Sequence, residues 1–520
     1  MATEPFAWAS DERLLLRVAP DAPLALRGAV TLRCLRGAAA CHGHVLRHNQ
    51  TVLAHATSPA LVLRYERAGD ETVEDAPAWL CDHVVVEVTA ATNQQLAVTE
   101  APNVANIVRF EGVAVAPVTH AAIWRPLAEP QPWREAALRF ASITSVMALG
   151  AQNAGKSTLC RYLANASTQK VALLDLDCGQ PLSGPPGFVS LRLLDGPFLA
   201  ETAADSNFER RIYLGATTPS DAPDAYVAAA ALLKAHWAAH LRDTKLVVNA
   251  CGWVTGLGAE ITAGLISTIT PDACCICGDD AFSRRPPLCN VIPSRIDCGS
   301  IICENRGAPA AARRVLRLAA YFSQKLNVDT GPRDANGALA DATGRVADAI
   351  CRARGTRLAL SSTVLVMVGS ARDDAPRCGE EAVEVLRGAL VAVASSIDDV
   401  PLLIRATAAT PGVALGGAWS DALHCRGLAL VRDVGRGFVD VYAPFEVCEG
   451  DLLLRGVLAP PVELLYRGPD HVRFDFLSSE SVGADHAMRG RGGIMRKAAK
   501  RGRDDDDDGR ASPGHYGPAS

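Results

Sequence analysis

Aromatic side chains make up only 5% of this 520-residue chain, so each tryptophan carries more information than usual. No apolar run approaches the roughly 18 residues of a membrane span, and no membrane role is expected. The first residues, MATEPFAWASDERLLLRV, lack the pattern of a secretory signal. The even cysteine spacing of a small disulfide-bonded domain is also missing. Sixteen cysteines are scattered through apolar segments and read as reduced thiols of the cytosol or nucleus. Neither charge sign dominates: a net charge of −5 excludes a general polyanion binder acting by bulk electrostatics. Zinc motifs remain incomplete. Cys41, His42, His44 and His48 lie close together without a second ligand pair, and Cys274, Cys275 and Cys277 sit in an apolar run that reads as a buried strand.

What is present is an ordinary soluble composition, 49% hydrophobic and 21% charged, in a chain long enough for about three domains. Its most informative stretch is SVMALGAQNAGKSTLCRYLANASTQKVALLDLDCGQ, Ser145–Gln180. Val146–Leu149 reads as a buried strand, and GAQNAGKS then fits the phosphate-loop pattern G-x-x-x-x-G-K-[ST] at every fixed position. Gly150 and Gly155 permit backbone conformations that turn successive N–H groups of Ala151, Gln152, Asn153 and Ala154 toward phosphate oxygens. A helix beginning near Lys156 adds its positive end, with Thr158 in its first turn. Lys156 is expected to reach the β- and γ-phosphates of a nucleotide, and Ser157 to ligate Mg²⁺. A second apolar strand, Val171–Leu174, returns by a right-handed crossover to the same edge and ends in Asp175-Leu176-Asp177. A carboxylate there can orient a hydroxyl and accept its proton. Asp177, nearer the loop, is the choice for the base and a second Mg²⁺ residue; Asp175 either shares that work or caps the strand.

Around this centre the expected fold is α/β, a P-loop domain with a parallel sheet flanked by β-rich N-terminal and C-terminal domains. The expected boundaries are 1–132, 133–327, a linker or lid extension at 328–357, 358–478, and a disordered charged tail at 479–520. In the first region Val30, Leu32 and Cys34 alternate with Thr31 and Arg33, the period of a half-buried strand in a β-sandwich-like module. KLVVNACGWVTGLG supplies a third buried strand, Leu246–Asn249, and a glycine-rich loop holding Trp253, which either stacks on a base or packs in the core. Arg313 and Arg317, four apart on a helix over Arg313–Leu326, form either a lid over a transferring phosphoryl group or a solvated basic face. The tail joins MRKAAKRGR, Met495–Arg503, to five aspartates, a composition that reads as disordered and either as a nuclear-import signal or as a solvated tail with no address.

GAQNAGKST, LLDLDCGQPLSGPPGFVSL, LVVNACGWVTGLG, RRVLRLAAYFSQ and GLALVRDV…GDLLLRGVLAPP, in that order, resemble the polynucleotide 5′-hydroxyl kinases. Asn153 and PPGFVSL look closer to the nucleolar, ribosomal-RNA-processing branch than to the pre-mRNA cleavage-factor branch. The resemblance implies ATP and Mg²⁺ at Lys156 and Ser157, a 5′-hydroxyl activated by Asp177, and terminal-nucleotide contacts from Gln180, Gly252 and Trp253. It also implies a lid bearing Arg313 and Arg317, an RNA substrate with a 5′-hydroxyl end, an endoribonuclease partner, and a nucleolar location. Cys178 and Cys251 depart from the residues expected at their positions. An ATP-binding scaffold that transfers nothing is the alternative from another class.

Overall fold

The computed structural model describes residues 7–9, 13–74, 76, 83–90, 108–110, 113–121, 129–199, 208–299, 310–326, 338–395, 397, 400–461 and 464. The charged tail and its basic cluster lie outside the described residues.

The N-terminal strands are β1 (Ala7–Ala9), β2 (Leu14–Val18), β3 (Leu24–Arg36), β4 (Ala38–Cys41), β5 (His44–Arg47), β6 (Thr51–Arg67), β7 (Val84–Ala90), β8 (Val108–Phe110) and β9 (Val113–Pro117). They make one nine-stranded sheet rather than two separate ones. Two long strands, β3 and β6, let the sheet fold over itself: Leu24–Arg27 pairs with β9, and Val30–Arg36 with β7, on either side of a register shift at Gly28. Alternate residues such as Val30, Leu32 and Cys34 are buried together in the enclosed core, as their spacing requires.

The central unit contains β10 (Ser145–Leu149), β11 (Val171–Asp175), β12 (Phe188–Leu193), β13 (Arg210–Tyr213), β14 (Lys245–Asn249), β15 (Ala273–Ile276) and β16 (Arg295–Asp297). The sheet order is β13-β12-β11-β14-β10-β15-β16, parallel from β11 to β16 with β12 and β13 antiparallel at one edge. Helices α1 (Gln131–Ser142) and α2 (Lys156–Ala166) cover one face; α3 (Pro223–His240) and α4 (Leu257–Ile269) cover the other. Period-two alternation decides which: Val146 and Ala148 pack with Trp133, Phe140 and Leu159, while Met147 and Leu149 pack with Tyr226, Leu233 and Ile266. The crossover through α2 skips a place, since β14 lies between β10 and β11. The carboxyl ends of all three strands therefore stand side by side.

The last unit has β17 (Thr356–Ala359), β18 (Val364–Met367), β19 (Leu390–Ala394), β20 (Leu402–Ile404), β21 (Gly412–Leu415), β22 (Cys425–Gly435), β23 (Phe438–Tyr442) and β24 (Leu452–Arg455) in one mixed sheet. On one face lie α5 (Ala310–Ser323) and α6 (Ala338–Arg352), on the other α7 (Gly379–Leu386). Over 328–357, read above as a linker or lid extension, the described part is mostly α6. Its Val346, Ala347 and Ile350 are buried beside Leu318 and Phe322 of α5 and the sheet. The alanine- and aspartate-rich composition hid that short apolar face.

The units meet through close backbone contacts. Gly215, with φ +69°, lies so near Gly456 that a Cβ on either would collide with the other's backbone, and Leu458 N–H donates to the Gly215 carbonyl at 2.7 Å. On the other side the β4–β5 turn docks against α2. Its buried His42 donates from Nε2 to the Thr158 carbonyl at 3.2 Å, and Asn165 Nδ2 donates to the His42 carbonyl at 3.0 Å. Burial, chiefly, and the neighbouring Arg161 cation hold the His42 imidazole down to about 3. The unfolded ring, with its ordinary value near 6.5, then binds a proton that the folded one refuses, so stability falls as pH drops below about 6.5. Between pH 7 and pH 5 this ring should remove about 2 kcal/mol of unfolding free energy, at roughly 1.4 kcal/mol per unit below its ordinary value. His42→Asn, which tolerates the left-handed φ of +49° there, should unfold in denaturant with a visibly shallower acid dependence. An equal slope in both proteins would contradict the assignment.

Candidate active site

The site is built at the carboxyl ends of β10, β11 and β14. Directly after β10 the chain turns at Gly150, where a Cβ would lie 2.5 Å from the Cys277 carbonyl oxygen, so only glycine lets the loop pass beside β15. Asn153 and Gly155 adopt positive φ of 64° and 95°. Gly155 leads into α2 without any side-chain cap, leaving the first-turn N–H groups of Lys156, Ser157 and Thr158 for another acceptor. Ala151, Gln152 and Asn153 are exposed, and Ala154 N–H closes the turn on the Ala151 carbonyl at 3.2 Å. Lys156 is buried and folds its Nζ back to the Ala151 carbonyl at 2.9 Å. An uncapped helix start, a concave loop and an inward lysine fit the phosphates of a nucleotide.

Beyond β11 the two aspartates do different things. Asp175 is buried with both oxygens engaged. Oδ1 accepts from Asn249 Nδ2 at 2.9 Å and from Asp177 N–H at 3.2 Å; Oδ2 accepts from Leu182 N–H at 2.5 Å. Burial pushes its carboxyl up to about 7, with those donors pulling the other way. Asp177 is half-buried. Its Oδ1 accepts from Gly179 and Gln180 N–H at 3.1 and 2.9 Å, while Oδ2 accepts no hydrogen bond among the described residues. Burial raises its carboxyl above the usual range, opposed by the Gln180 N–H, then the Lys156 cation. A better proton acceptor with one oxygen open therefore stands beside Lys156.

The loop after β14 closes the opposite side. A Cβ on Gly252 would meet Gln152 backbone atoms at 2.8 Å and Lys156 Nζ at 3.2 Å, so Gly252 lies directly against the phosphate loop. Trp253 is half-exposed, with Gly258 of α4 so close that any side chain there would enter the indole. The ring thus belongs partly to the core and partly to the surface. Arg317 of α5 donates to the Pro181 carbonyl, reaches Gly184 O at 3.4 Å, and lowers the Asp177 carboxyl electrostatically. Arg313, one turn earlier, keeps a buried Nε without a hydrogen-bond partner among the described residues. Cys178 and Cys251 are buried thiols behind the site.

Two contributors went unnoticed in the sequence. Asn249 is fully buried between the loops: Ser157 Oγ donates to its Oδ1 at 3.4 Å, and its Nδ2 holds Asp175. A polar residue closing an otherwise apolar strand, LVVN, was the available signal. Tyr226 of α3 donates its buried hydroxyl to the Leu176 carbonyl at 2.9 Å, pinning the chain between the aspartates. The cysteine and histidine clusters gather elsewhere: Cys274 and Cys275 lie in β15, His42 packs on α2, and no group of three metal-binding side chains occurs among the described residues.

Residues 150–324 match the model of the family described as the P-loop of mRNA cleavage and polyadenylation factor CLP1. The polynucleotide 5′-hydroxyl-kinase grc3 of Aspergillus clavatus is 34% identical over 148 residues, which is 24% of this chain and 18% of that protein. Its namesake in Schizosaccharomyces pombe is 30% identical over 143 residues, covering 25% and 19%. The polynucleotide 5′-hydroxyl-kinase NOL9 of Arabidopsis thaliana is 30% identical over 175 residues, 30% of this chain and 48% of the relative. The chain therefore matches less than half the length of each of these relatives. A solved complex of Clp1p with Pcf11p superposes with a TM-score of 0.50 at 12% identity over 86% of this chain and 99% of that one. At such identity what is shared is the fold. The resemblance to polynucleotide 5′-hydroxyl kinases drawn from the motifs is the one these relatives bear.

The two aspartates should separate experimentally. Asp177→Asn keeps an oxygen for the Gly179 and Gln180 N–H groups, so melting and nucleotide affinity should stay close to wild type. Turnover should fall by roughly 10²–10⁴, the range for a lost general base. Asp175→Asn turns an NH₂ toward a buried N–H donor and should cost about 1–3 kcal/mol of stability, read in denaturant unfolding. Reversal of the two patterns would mean that Asp175 is the base.

Proposed function

We propose that this protein is an ATP-dependent polynucleotide 5′-hydroxyl kinase that transfers the γ-phosphate of ATP to the 5′-OH of RNA. The observation that carries the reading is the convergence at one sheet edge of the phosphate loop, the open carboxylate oxygen of Asp177, the Gly252–Trp253 loop and Arg317. A scaffold that only holds nucleotide needs the first of these and not the second.

In this reading the N–H groups of residues 150–158 and Lys156 hold the phosphates, and Asp177 Oδ2 takes the proton of the RNA 5′-hydroxyl. The hydroxyl oxygen forms a bond to the γ-phosphorus as the bond to the β–γ bridging oxygen breaks, and ADP leaves with that electron pair. Lys156, with Arg317 and Arg313 on the facing helix, lies where negative charge grows on the transferring group. Ser157 and Asp177 are the residues for Mg²⁺, which neutralises phosphate charge when bound. Trp253, lying on Gly258 with part of its ring exposed, would stack on the terminal base, and Gln180, whose N–H holds Asp177 Oδ1, is a further residue for the terminal nucleotide.

The names of the grc3 and NOL9 relatives support a polynucleotide 5′-hydroxyl kinase; with RNA as its substrate, we assign the chain to pre-ribosomal RNA processing beside an endoribonuclease. The basic cluster Met495–Arg503 supports a nuclear location, and the resemblance to the ribosomal-RNA-processing branch carries the further assignment to the nucleolus. Likeness to the CLP1 P-loop favours a second reading, RNA kinase action in mRNA 3′-end formation or tRNA splicing. Co-purification with pre-ribosomal rather than cleavage-factor assemblies would separate the two.

Transfer of labelled γ-phosphate to 5′-OH oligonucleotides tests the activity. Wild type should label 5′-OH RNA and leave the same RNA bearing a 5′-phosphate unlabelled. Lys156→Ala should lose on the order of 10²–10³ in rate while melting normally. A folded Lys156→Ala protein with full activity would overturn the site assignment.

Trp253→Ala should weaken oligonucleotide binding by about 1–3 kcal/mol, nearly independent of the terminal base, with ATP binding unchanged. Were the ring only a core residue, the same truncation would cost about 3–5 kcal/mol of stability and impair both affinities together. Thermal melts beside two binding titrations tell the outcomes apart.

A further inference from the structure

We propose that Asn249 is a positioning residue that sets the Ser157 hydroxyl for a divalent cation and ties it to the loop bearing Asp177. This rests on the reading that the phosphate loop takes ATP with Mg²⁺.

Strand β14 stands between β10 and β11, with Asn249 paired in register to Ala148 on one side and Asp175 on the other. Its neighbours Leu246, Val247 and Val248 are buried and apolar, and its own side chain has no exposure at all. Burying a primary amide costs free energy unless its donors and acceptor are used. Both ends are used, and they point to opposite parts of the site. Oδ1 accepts from Ser157 Oγ at 3.4 Å, and Cys160 Sγ lies 3.9 Å from the same oxygen; Nδ2 donates to Asp175 Oδ1 at 2.9 Å. Asp175 in turn holds the Asp177 and Leu182 N–H groups, which bracket the loop carrying Asp177 and Gln180.

The chemistry follows from the direction of the Ser157 bond. A serine hydroxyl has one hydrogen and two lone pairs. Sending the hydrogen down to the amide oxygen turns the lone pairs up, toward the phosphate loop, where a cation can take them. The acceptor is a neutral amide, so the serine is oriented without a third carboxylate being added next to Asp175 and Asp177. The 3.4 Å separation is long for a hydroxyl donor, and such contacts commonly tighten once the site is loaded. The same amide fixes the far end of the chain of bonds, so cation-ligand geometry and base-loop geometry share one support.

The test uses the whole chain and a fluorescent ATP analogue titrated in Mg²⁺ and in EDTA; the quantity read is the gain in affinity that Mg²⁺ gives. Wild type should show a clear gain. Asn249→Leu, similar in volume but unable to accept, should lose about 10–100-fold of that gain, as outer partners of metal ligands do, with EDTA affinity changed little. Asn249→Val, whose β-branched side chain suits the strand and which is equally unable to accept, should lose the gain in the same way, and it serves as the informative variant should the leucine protein fail to fold. In a Ser157→Ala background, Asn249→Leu should remove nothing further. A full Mg²⁺ gain in folded Asn249→Leu or folded Asn249→Val, or additive losses in the double variant, would each overturn the proposal. Wild type that binds the analogue with no Mg²⁺ gain would instead overturn the underlying reading of the site.

Discussion

The Asp175 carboxyl is the constraint from which the rest of the site hangs. It sits at the end of a strand walled in on both faces, where an ionisable group is costly unless surrounded by donors. Three N–H donors meet it: one from the neighbouring strand, and two from the loop that follows its own strand. Those last two bonds fold residues 177–182 into a tight turn, and the turn aims Asp177. Tyr226 and Arg317 then fasten the same segment from the helices above, through the carbonyls of Leu176 and Pro181. In the proposed reading, the aspartate whose oxygens are both engaged places the one that keeps an oxygen open.

The same logic explains how distant parts of the chain bear on a small centre. The N-terminal sheet reaches α2 through one turn, where His42 meets the Thr158 carbonyl a single residue beyond Ser157. The C-terminal unit contributes α5, whose outer turns carry Arg313 and Arg317 and whose inner face packs with α6 on the last sheet. Both flanking units therefore grip the phosphate-loop domain by its functional helix or its acid loop. Close glycine contacts, such as Gly215 against Gly456, keep the fit tight.

Much of this was legible in the residues themselves. Period-two alternation in β3, the apolar strands before and after the phosphate loop, and the helix start at Lys156 all follow from local pattern, and the structure has them where the pattern puts them. The order of strands was not legible, because nothing in Val171–Asp175 or Lys245–Asn249 says which one neighbours β10. Asn249 was missed for that reason: only after β14 is inserted between β10 and β11 does its side chain lie between Ser157 and Asp175. The helix α6 was missed for another, since among the described side chains its buried apolar face is Val346, Ala347 and Ile350 within a polar, alanine-rich segment.

In the proposed reaction Asp177 accepts a proton and never a phosphoryl group, so the γ-phosphoryl passes to the RNA in one displacement. Following the configuration at phosphorus tests this most directly, with ATP whose γ-thiophosphate is made chiral by oxygen isotopes and a 5′-hydroxyl RNA as acceptor. A single in-line step inverts the configuration, and inversion is the result expected. Retention would mean two displacements through a covalent phospho-enzyme, and would contradict the role drawn here for Asp177.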